Sequence, residues 1–121
     1  MSGTEETRTV QGEIVLPDTD IPSESANLVV QVEDVSRADA PSVVIADQRQ
    51  SGVPLRRGAT LPFAVEVPEE LVDERDSFSV RVHIDVTGSG EVESGDLVST
   101  QSYPVLTRGH GNEARIHVQR V

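Results

Sequence analysis

The chain has no cysteine, no lysine and very few aromatic side chains. Without cysteine there is no disulfide framework, no zinc–thiolate site and no cysteine nucleophile. Aromatic residues make up only 2% of the sequence, so a surface on which nucleic-acid bases stack is not expected. No apolar run approaches the roughly 20 residues that a membrane-spanning helix needs. The sequence therefore predicts no integral membrane span and no nucleic-acid partner.

Positive charge is also scarce. The chain of 121 residues carries 21 acidic and 10 basic residues, which gives a formal net charge of -11. Every basic residue is an arginine. Such a field repels nucleic acids and anionic membranes. A GC-rich genome and a salt-adapted proteome both explain this composition, and the charge does not separate them.

An export signal is not visible at the start of the sequence. The segment "MSGTEETRTV" is polar and acidic, with neither a positive n-region nor an apolar h-region. We expect the protein in the cell envelope if a leader has been removed, and in the cytoplasm otherwise. We also expect residues 1–6 to be disordered and residues 7–121 to form a single domain.

Alternation of apolar and polar residues dominates the rest of the chain. In "SFSVRVHIDV" the side chains of Val80, Val82 and Ile84 point to one side, and those of Arg81 and His83 point to the other. The same pattern predicts seven strands, near residues 7–16, 26–34, 42–49, 60–67, 77–87, 96–106 and 112–121. The segment "PEELVDERD", residues 68–76, is the one helix-like piece.

Glycine- and proline-bearing turns separate these strands, and no long helices lie between them. Antiparallel strands with one wet face form a two-sheet sandwich or a small barrel. We predict an all-β fold, an antiparallel two-sheet β-sandwich of about seven strands with one short helical turn.

The stretch "DVSRADAPSVVIADQ", residues 34–48, has the chemistry of a strand connection. Ser36 and Asp39 can accept hydrogen bonds from nearby backbone N–H groups, and Pro41 favours an extended residue before it. Arg37 lies between Asp34 and Asp39 in sequence and can pair with either. This reading predicts a turn held by local polar contacts.

The same stretch resembles the signature of the YbaY/YscW family of small cell-envelope lipoproteins, which are related to type III secretion pilotins. The resemblance extends upstream to "GEIVLPDTDIPSESANLVVQVE" and downstream through "LPFAVEV", "FSVRVHID" and "YPVLTRGHGNEARIHVQRV". It covers roughly residues 10–121 in order. It implies a β-sandwich, an outer-membrane or surface lipoprotein role and, in the secretion branch, a chaperone role for a secretin. The family's lipid-attached cysteine is absent from this sequence.

No catalytic or metal-binding constellation is predicted. There is no G-x-S-x-G elbow and no phosphate-binding glycine loop. Two histidines on wet faces, His83 and His117, lack a third ligand, and His110 is expected to be a turn residue. Two acidic loops offer oxygen ligands without the spacing of a calcium-binding loop. Their acids are Asp18, Asp20 and Glu24 in one loop and Glu91, Glu93 and Asp96 in the other.

An interaction surface is the remaining possibility. The candidates are Asp34, Arg37 and Asp39 in the first turn, and the paired Arg56 and Arg57 in "VPLRRGATLP", a positive spot that suits an acidic partner. We predict a non-enzymatic, envelope-associated interaction or chaperone-like module with a protein partner and no cofactor. The alternatives are a cytoplasmic binding domain of a salt-adapted organism and a calcium- or carbohydrate-binding β-sandwich.

Overall fold

The computed structural model describes residues 6–19, 21, 23–37 and 39–121. Within these residues the chain forms strands and a single 3₁₀ turn, Glu69–Leu71. The strands are β1 (Thr7–Val15), β2 (Ser25–Asp34), β3 (Val43–Pro54), β4 (Thr60–Pro68), β5 (Phe78–Asp85), β6 (Leu97–Ser99), β7 (Pro104–Val105) and β8 (Glu113–Arg120). The prediction of an all-β fold with one short helical turn is confirmed.

The inside–outside assignment of the strands follows the sequence alternation. In β5, Val80, Val82 and Ile84 are buried, whereas Arg81 is exposed. In β4 the buried residues alternate with exposed ones along the whole strand. Valine, isoleucine and leucine from all the long strands meet in one core, joined by Phe63 and Phe78. Burial of these alternating apolar side chains is the main stabilising contribution to the fold.

The predicted two-sheet sandwich is not what the hydrogen bonding shows. The strands follow one continuous path, β3–β2–β5–β6–β8–β1–β4, with β7 attached to β5. β8 makes this possible because its first half pairs with β1 and its last residues pair with β6. The two ends of the path, β3 and β4, then pack against each other. The result is a nearly closed, barrel-like sheet.

One strand pair also runs in a direction that the sequence did not indicate. β1 and β8 are parallel, in the register Gln11 to Glu113 through Val15 to His117. Gly12 lies in this pair, and a Cβ atom there would come within 1.8 Å of the Ala114 carbonyl oxygen. The absence of a side chain at Gly12 therefore allows β8 to approach β1 closely.

Two predicted elements differ in extent. The predicted strand 96–106 is interrupted between β6 and β7, where the buried Tyr103 accepts a hydrogen bond at its hydroxyl from the His117 N–H (2.9 Å). The predicted helix 68–76 is reduced to one turn. After it, Asp73 accepts the Arg75 N–H on its side chain (2.9 Å), a local bond that competes with helix formation.

The barrel has two ends with different loops. β2 and β4 finish at one end, and β3, β5 and β8 begin there; we call it the 35–42 end after its β2–β3 loop. The other end carries loops 16–24, 55–59 and 86–96, and we call it the 55–59 end. No helix among the described residues has the length and apolarity that a transmembrane segment requires.

Two earlier predictions fall partly or wholly outside the described residues. Most of the segment predicted to be disordered, residues 1–5, is not described, and neither is Asp20. Glu6, the last residue of that segment, is described, and its carbonyl accepts the Glu69 N–H at 3.0 Å.

Candidate functional site

The 35–42 end begins with a turn built around Asp34. The Ser36 N–H donates to Asp34 Oδ1 at 3.0 Å, and the Ser36 hydroxyl donates to the same oxygen. The Ser36 hydroxyl oxygen also accepts the Ser77 N–H at 2.9 Å, which ties the turn to the residue before β5. The hydrogen bond from the Ser36 hydroxyl is the main cause that lowers the pKa of Asp34. Asp34 thus has a structural role in the turn.

The other candidate residues of this turn are available to solvent. Arg37 and Asp39 are both exposed. Arg37 borders a cleft of about 340 Å³ together with Asp34 and Asp76. Its positive charge is one of the smaller causes that lower the pKa of Asp34. The structure therefore places Asp34 and Arg37 together, with Arg37 free of the core.

Arg56 and Arg57 lie at the opposite end. Both are exposed in the connection between β3 and β4, where the Gly58 N–H donates to the Pro17 carbonyl at 3.0 Å. β3 separates them from Asp34 by 12 residues, or about 40 Å of extended chain. The two candidate surfaces therefore lie at opposite ends of the barrel.

A polar cluster that the sequence reasoning missed lies beside loop 86–96. The ring nitrogen Nε2 of His83 is 2.8 Å from Oδ2 of Asp96, and Asp96 is fully buried. The His83 side chain is only 13% exposed. The prediction that His83 is a solvated surface histidine is therefore wrong, whereas His110 and His117 are exposed as expected.

Asp96 organises the loop through backbone donors. Its carboxylate accepts N–H groups of Val86 (2.8 Å), Thr87 (3.4 Å) and Glu93 (3.0 Å) in addition to the His83 ring. Burial alone would raise the pKa of Asp96. The bond to His83 and those to the backbone outweigh it, so the pKa is lowered.

Asp85 has the same function on the other side of the loop. Its two carboxylate oxygens accept the N–H groups of Gly88 (2.9 Å) and Gly90 (2.8 Å). One ligand atom from each of Asp85, Asp96 and His83 lies within 4.8 Å of the others, a spacing that a metal ion could bridge. However, Asp96 already accepts four hydrogen bonds and has no free lone pair. We interpret the cluster as a support for the loop.

Asp96 belongs to this cluster, but the other described acids considered for calcium are not gathered around it. Glu91 and Glu93 are exposed, and the Glu93 carboxylate accepts the Thr87 hydroxyl at 3.1 Å. Asp18 and Glu24 are exposed on a different loop. The signal that could have indicated the real arrangement is the position of Asp85 and Asp96 at the two ends of a glycine- and serine-rich loop, since aspartates often bind the N–H groups of such loops.

A broad groove lies over β1, β4 and β8. It measures about 580 Å³, and Gly12, Phe63 and Ala114 lie along it. Its charged residues are Glu13, Glu113 and Arg115, all exposed. None of these is a nucleophile beside a base, which is the arrangement that acyl or phosphoryl transfer requires. The groove is suited to contact and not to chemistry.

Comparison with known proteins gives two findings. A family model described as "Type III secretion system lipoprotein chaperone (YscW)" matches residues 5–118. A solved structure of an alternative pilotin from the type II secretion system of Vibrio cholerae is similar with a TM-score of 0.76 and 22% sequence identity. The alignment covers 96% of this chain and 98% of that chain, and at this identity it shows a shared fold. No curated protein sequence matches the chain.

Proposed function

Because the chain belongs to the YscW family of type III secretion system lipoprotein chaperones, we propose that it is an envelope-associated, chaperone-like protein that binds a protein component of a secretion system. A secretin is the component that the family resemblance suggests. The match over residues 5–118 carries this proposal, since it includes every strand of the barrel except the last two residues of β8.

The chemistry of the described residues supports binding over catalysis. His83 is bonded to a buried carboxylate, and His110 and His117 are exposed without a neighbouring nucleophile among the contacts of the described chain. Asp85 and Asp96 are occupied by loop N–H groups. A protein of this kind acts through its surface, and its loops and strand edges are where partners bind.

Two surfaces are proposed for contact with the partner. One is the turn with Asp34, Arg37 and Asp39, and the other is the arginine pair Arg56 and Arg57. Because they lie at opposite ends of the barrel, they serve separate contacts. The cytoplasmic, calcium-binding and carbohydrate-binding alternatives gain no support from the family match.

Direct binding tests the proposal. The full chain is mixed with the purified secretin of the same organism, and the complex is measured by calorimetry and by size-exclusion chromatography near physiological salt. We expect a saturable complex with a Kd of about 1 µM or tighter, since specific protein complexes fall in this range. An unrelated protein of similar negative charge is the control for simple charge attraction. Absence of heat and of co-elution at a hundredfold higher concentration would contradict the proposal.

A further inference from the structure

The barrel is not closed by a ladder of backbone hydrogen bonds. β3 and β4 are the two ends of the hydrogen-bonded path and are not hydrogen-bonded neighbours in it. A side chain bridges them instead: the Ala64 N–H of β4 donates to Oε1 of Gln48 on β3 at 3.1 Å. We call the space between these two strands the β3–β4 seam. It places two strand edges face to face.

Two prolines flank the part of the β4 edge that is available for pairing. Backbone groups of alternate residues point to the same edge of a strand, so Pro62 and Glu66 face the seam together with Ala64. Pro62 has no N–H, which prevents pairing near the start of β4. Glu66 retains both its N–H and its carbonyl, whereas Pro68, which faces the same edge, offers only its carbonyl, so an added strand would find its donors at Ala64 and Glu66.

The opposite edge of the seam exposes apolar side chains. Val43 and Val44, at the start of β3, are 62% and 45% exposed, among the most exposed large apolar residues of the described chain. They lie at the 35–42 end, the same end at which β4 finishes. The register of β3 also shifts between Val44 and Ala46, as is common on edge strands. The exposed valines of β3 and the backbone edge of β4 therefore occur at the same end of the barrel.

The surroundings of this end are strongly acidic. The segment 66–76 contains six carboxylates and a single arginine, Arg75, which pairs with Asp73 at 3.1 Å. Arg8 is held by Glu69 (3.3 Å) and Glu74 (3.4 Å), which leaves an excess of negative charge. A basic partner is attracted here, and a second copy of this acidic chain is repelled.

We propose that the β3–β4 seam binds an extended, basic segment of the protein partner, which pairs as a strand with the second half of β4, displaces Gln48 from Ala64 and packs its apolar side chains on Val43 and Val44. The proposal rests on the proposed function for the identity of the partner. The backbone edge of β4 provides affinity, and Val43 and Val44 provide apolar contact. The acidic segment 66–76 favours a partner segment of positive charge.

A peptide titration tests the surface without the natural partner. The ¹⁵N-labelled full chain is titrated with a synthetic peptide of about eight residues in which lysine alternates with valine and threonine, a length that one added strand requires. We expect amide shifts in β3 and in the second half of β4, with loss of the Ala64 bond to Gln48. A peptide with glutamate in place of lysine is the control, and it should shift these amides far less.

A charge reversal tests the same surface with the natural partner. Glu66→Arg reverses a charge of the acidic segment beside the seam, where the Glu66 carboxylate accepts the hydroxyls of Thr7 (2.9 Å) and Thr9 (2.7 Å) on β1. Glu91→Arg makes the same change at an exposed position of loop 86–96, which belongs to neither proposed contact surface. We expect Glu66→Arg to weaken binding of the secretin about tenfold or more, and Glu91→Arg to change it less than about twofold. Both variants are checked for native amide spectra before binding is measured.

The outcomes separate the two proposals. If the wild-type chain binds the secretin and Glu66→Arg binds equally well, the seam is not the docking site and the proposed function stands. If the lysine peptide shifts the seam and the secretin does not bind, the surface is supported and the proposed function fails. Peptide shifts that are absent or lie elsewhere overturn the seam proposal. Seam shifts that grow with protein concentration alone indicate a second copy, and also overturn it.

Discussion

Asp96 is a fully buried carboxylate, and its bonds connect the end of β5 with the start of β6. In Asp96→Asn an amide NH₂ replaces one carboxylate oxygen. This NH₂ would then face N–H groups that donate hydrogen bonds to that oxygen in the wild-type chain. We expect a loss of about 2–4 kcal/mol in the free energy of unfolding, because buried donors lose a charged acceptor. Urea unfolding measures it. Asp47→Asn, which breaks only an exposed pair with Arg49, should cost less than about 1 kcal/mol. Equal losses would contradict the role given to Asp96.

The lowered pKa of Asp96 also predicts a dependence on pH. A carboxyl whose pKa is lower in the folded state stabilises the fold above its unfolded pKa of about 4. This stabilisation is lost as the pH falls through the lower, folded pKa. The wild-type chain should therefore lose stability on acidification from pH 5 to pH 3 more steeply than Asp96→Asn. Urea midpoints at each pH test this, and parallel curves would contradict it.

Gly12 offers a steric test of the parallel pair. In Gly12→Ala the new methyl group would overlap the Ala114 carbonyl oxygen, so β8 would have to move away from β1. We expect the free energy of unfolding to fall by about 2 kcal/mol or more, because overpacking against the backbone is destabilising. Gly111→Ala is the matched control, since no atom lies within 4 Å of the added methyl group there. Thermal unfolding distinguishes them, and similar melting temperatures would argue against the close approach.

The sequence predicts the contacts of some residues better than those of others. A turn held by local polar contacts was predicted with Ser36 and Asp39 as acceptors, whereas in the structure Asp34 accepts hydrogen bonds from the Ser36 N–H and hydroxyl. The His83–Asp96 bond was not predicted, since it joins residues 13 apart across a loop whose path depends on the whole barrel. Alternation placed His83 on the wet face correctly but could not show that loop 86–96 would cover it.

At the scale of elements, alternation predicted where most strands lie and which side is buried. Strand direction was not legible, since parallel and antiparallel strands with one wet face show the same alternation. The interruption between β6 and β7 was also missed. Tyr103 lies in this interruption, and its hydroxyl accepts the His117 N–H of β8, a contact that only the folded chain identifies.

The alternation of β5 predicts opposite effects for two neighbouring substitutions. Val82 is fully buried, and Val82→Asp would place an unpaired charge in the core. We expect it to unfold the domain, since such changes cost about 4 kcal/mol or more. Arg81→Asp lies on the exposed face and should change stability by less than about 1 kcal/mol. Circular dichroism and urea unfolding report both, and equal destabilisation would refute the assignment of the two faces.

At the scale of the whole molecule, the family resemblance and the all-β class were predictable, and the closure of the sheet was not. A sandwich and a barrel share the same alternating strands, and they differ only in which strands pair at the edges. Here β8 pairs on both sides, and the β3–β4 seam is bridged by Gln48. These contacts join residues that are far apart in the sequence, so no local sequence pattern predicts them.

The net charge of -11 predicts that salt stabilises the fold. Screening reduces the self-repulsion of the acidic surface, so the melting temperature should rise by about 5 °C between low and molar sodium chloride. A double variant, Glu70→Lys with Glu91→Lys, replaces two exposed negative charges by positive ones and should respond less. A melting temperature that is flat with salt for both proteins would exclude self-repulsion as a factor.

Assembly of the secretin in cells tests the central claim most directly. The amount of multimeric secretin in the outer membrane is compared between cells with the intact gene for this chain, cells without it and cells complemented with it. A chaperone-like partner predicts that multimers fall sharply without the chain and return on complementation. Multimers that assemble and localise normally in its absence would contradict the account.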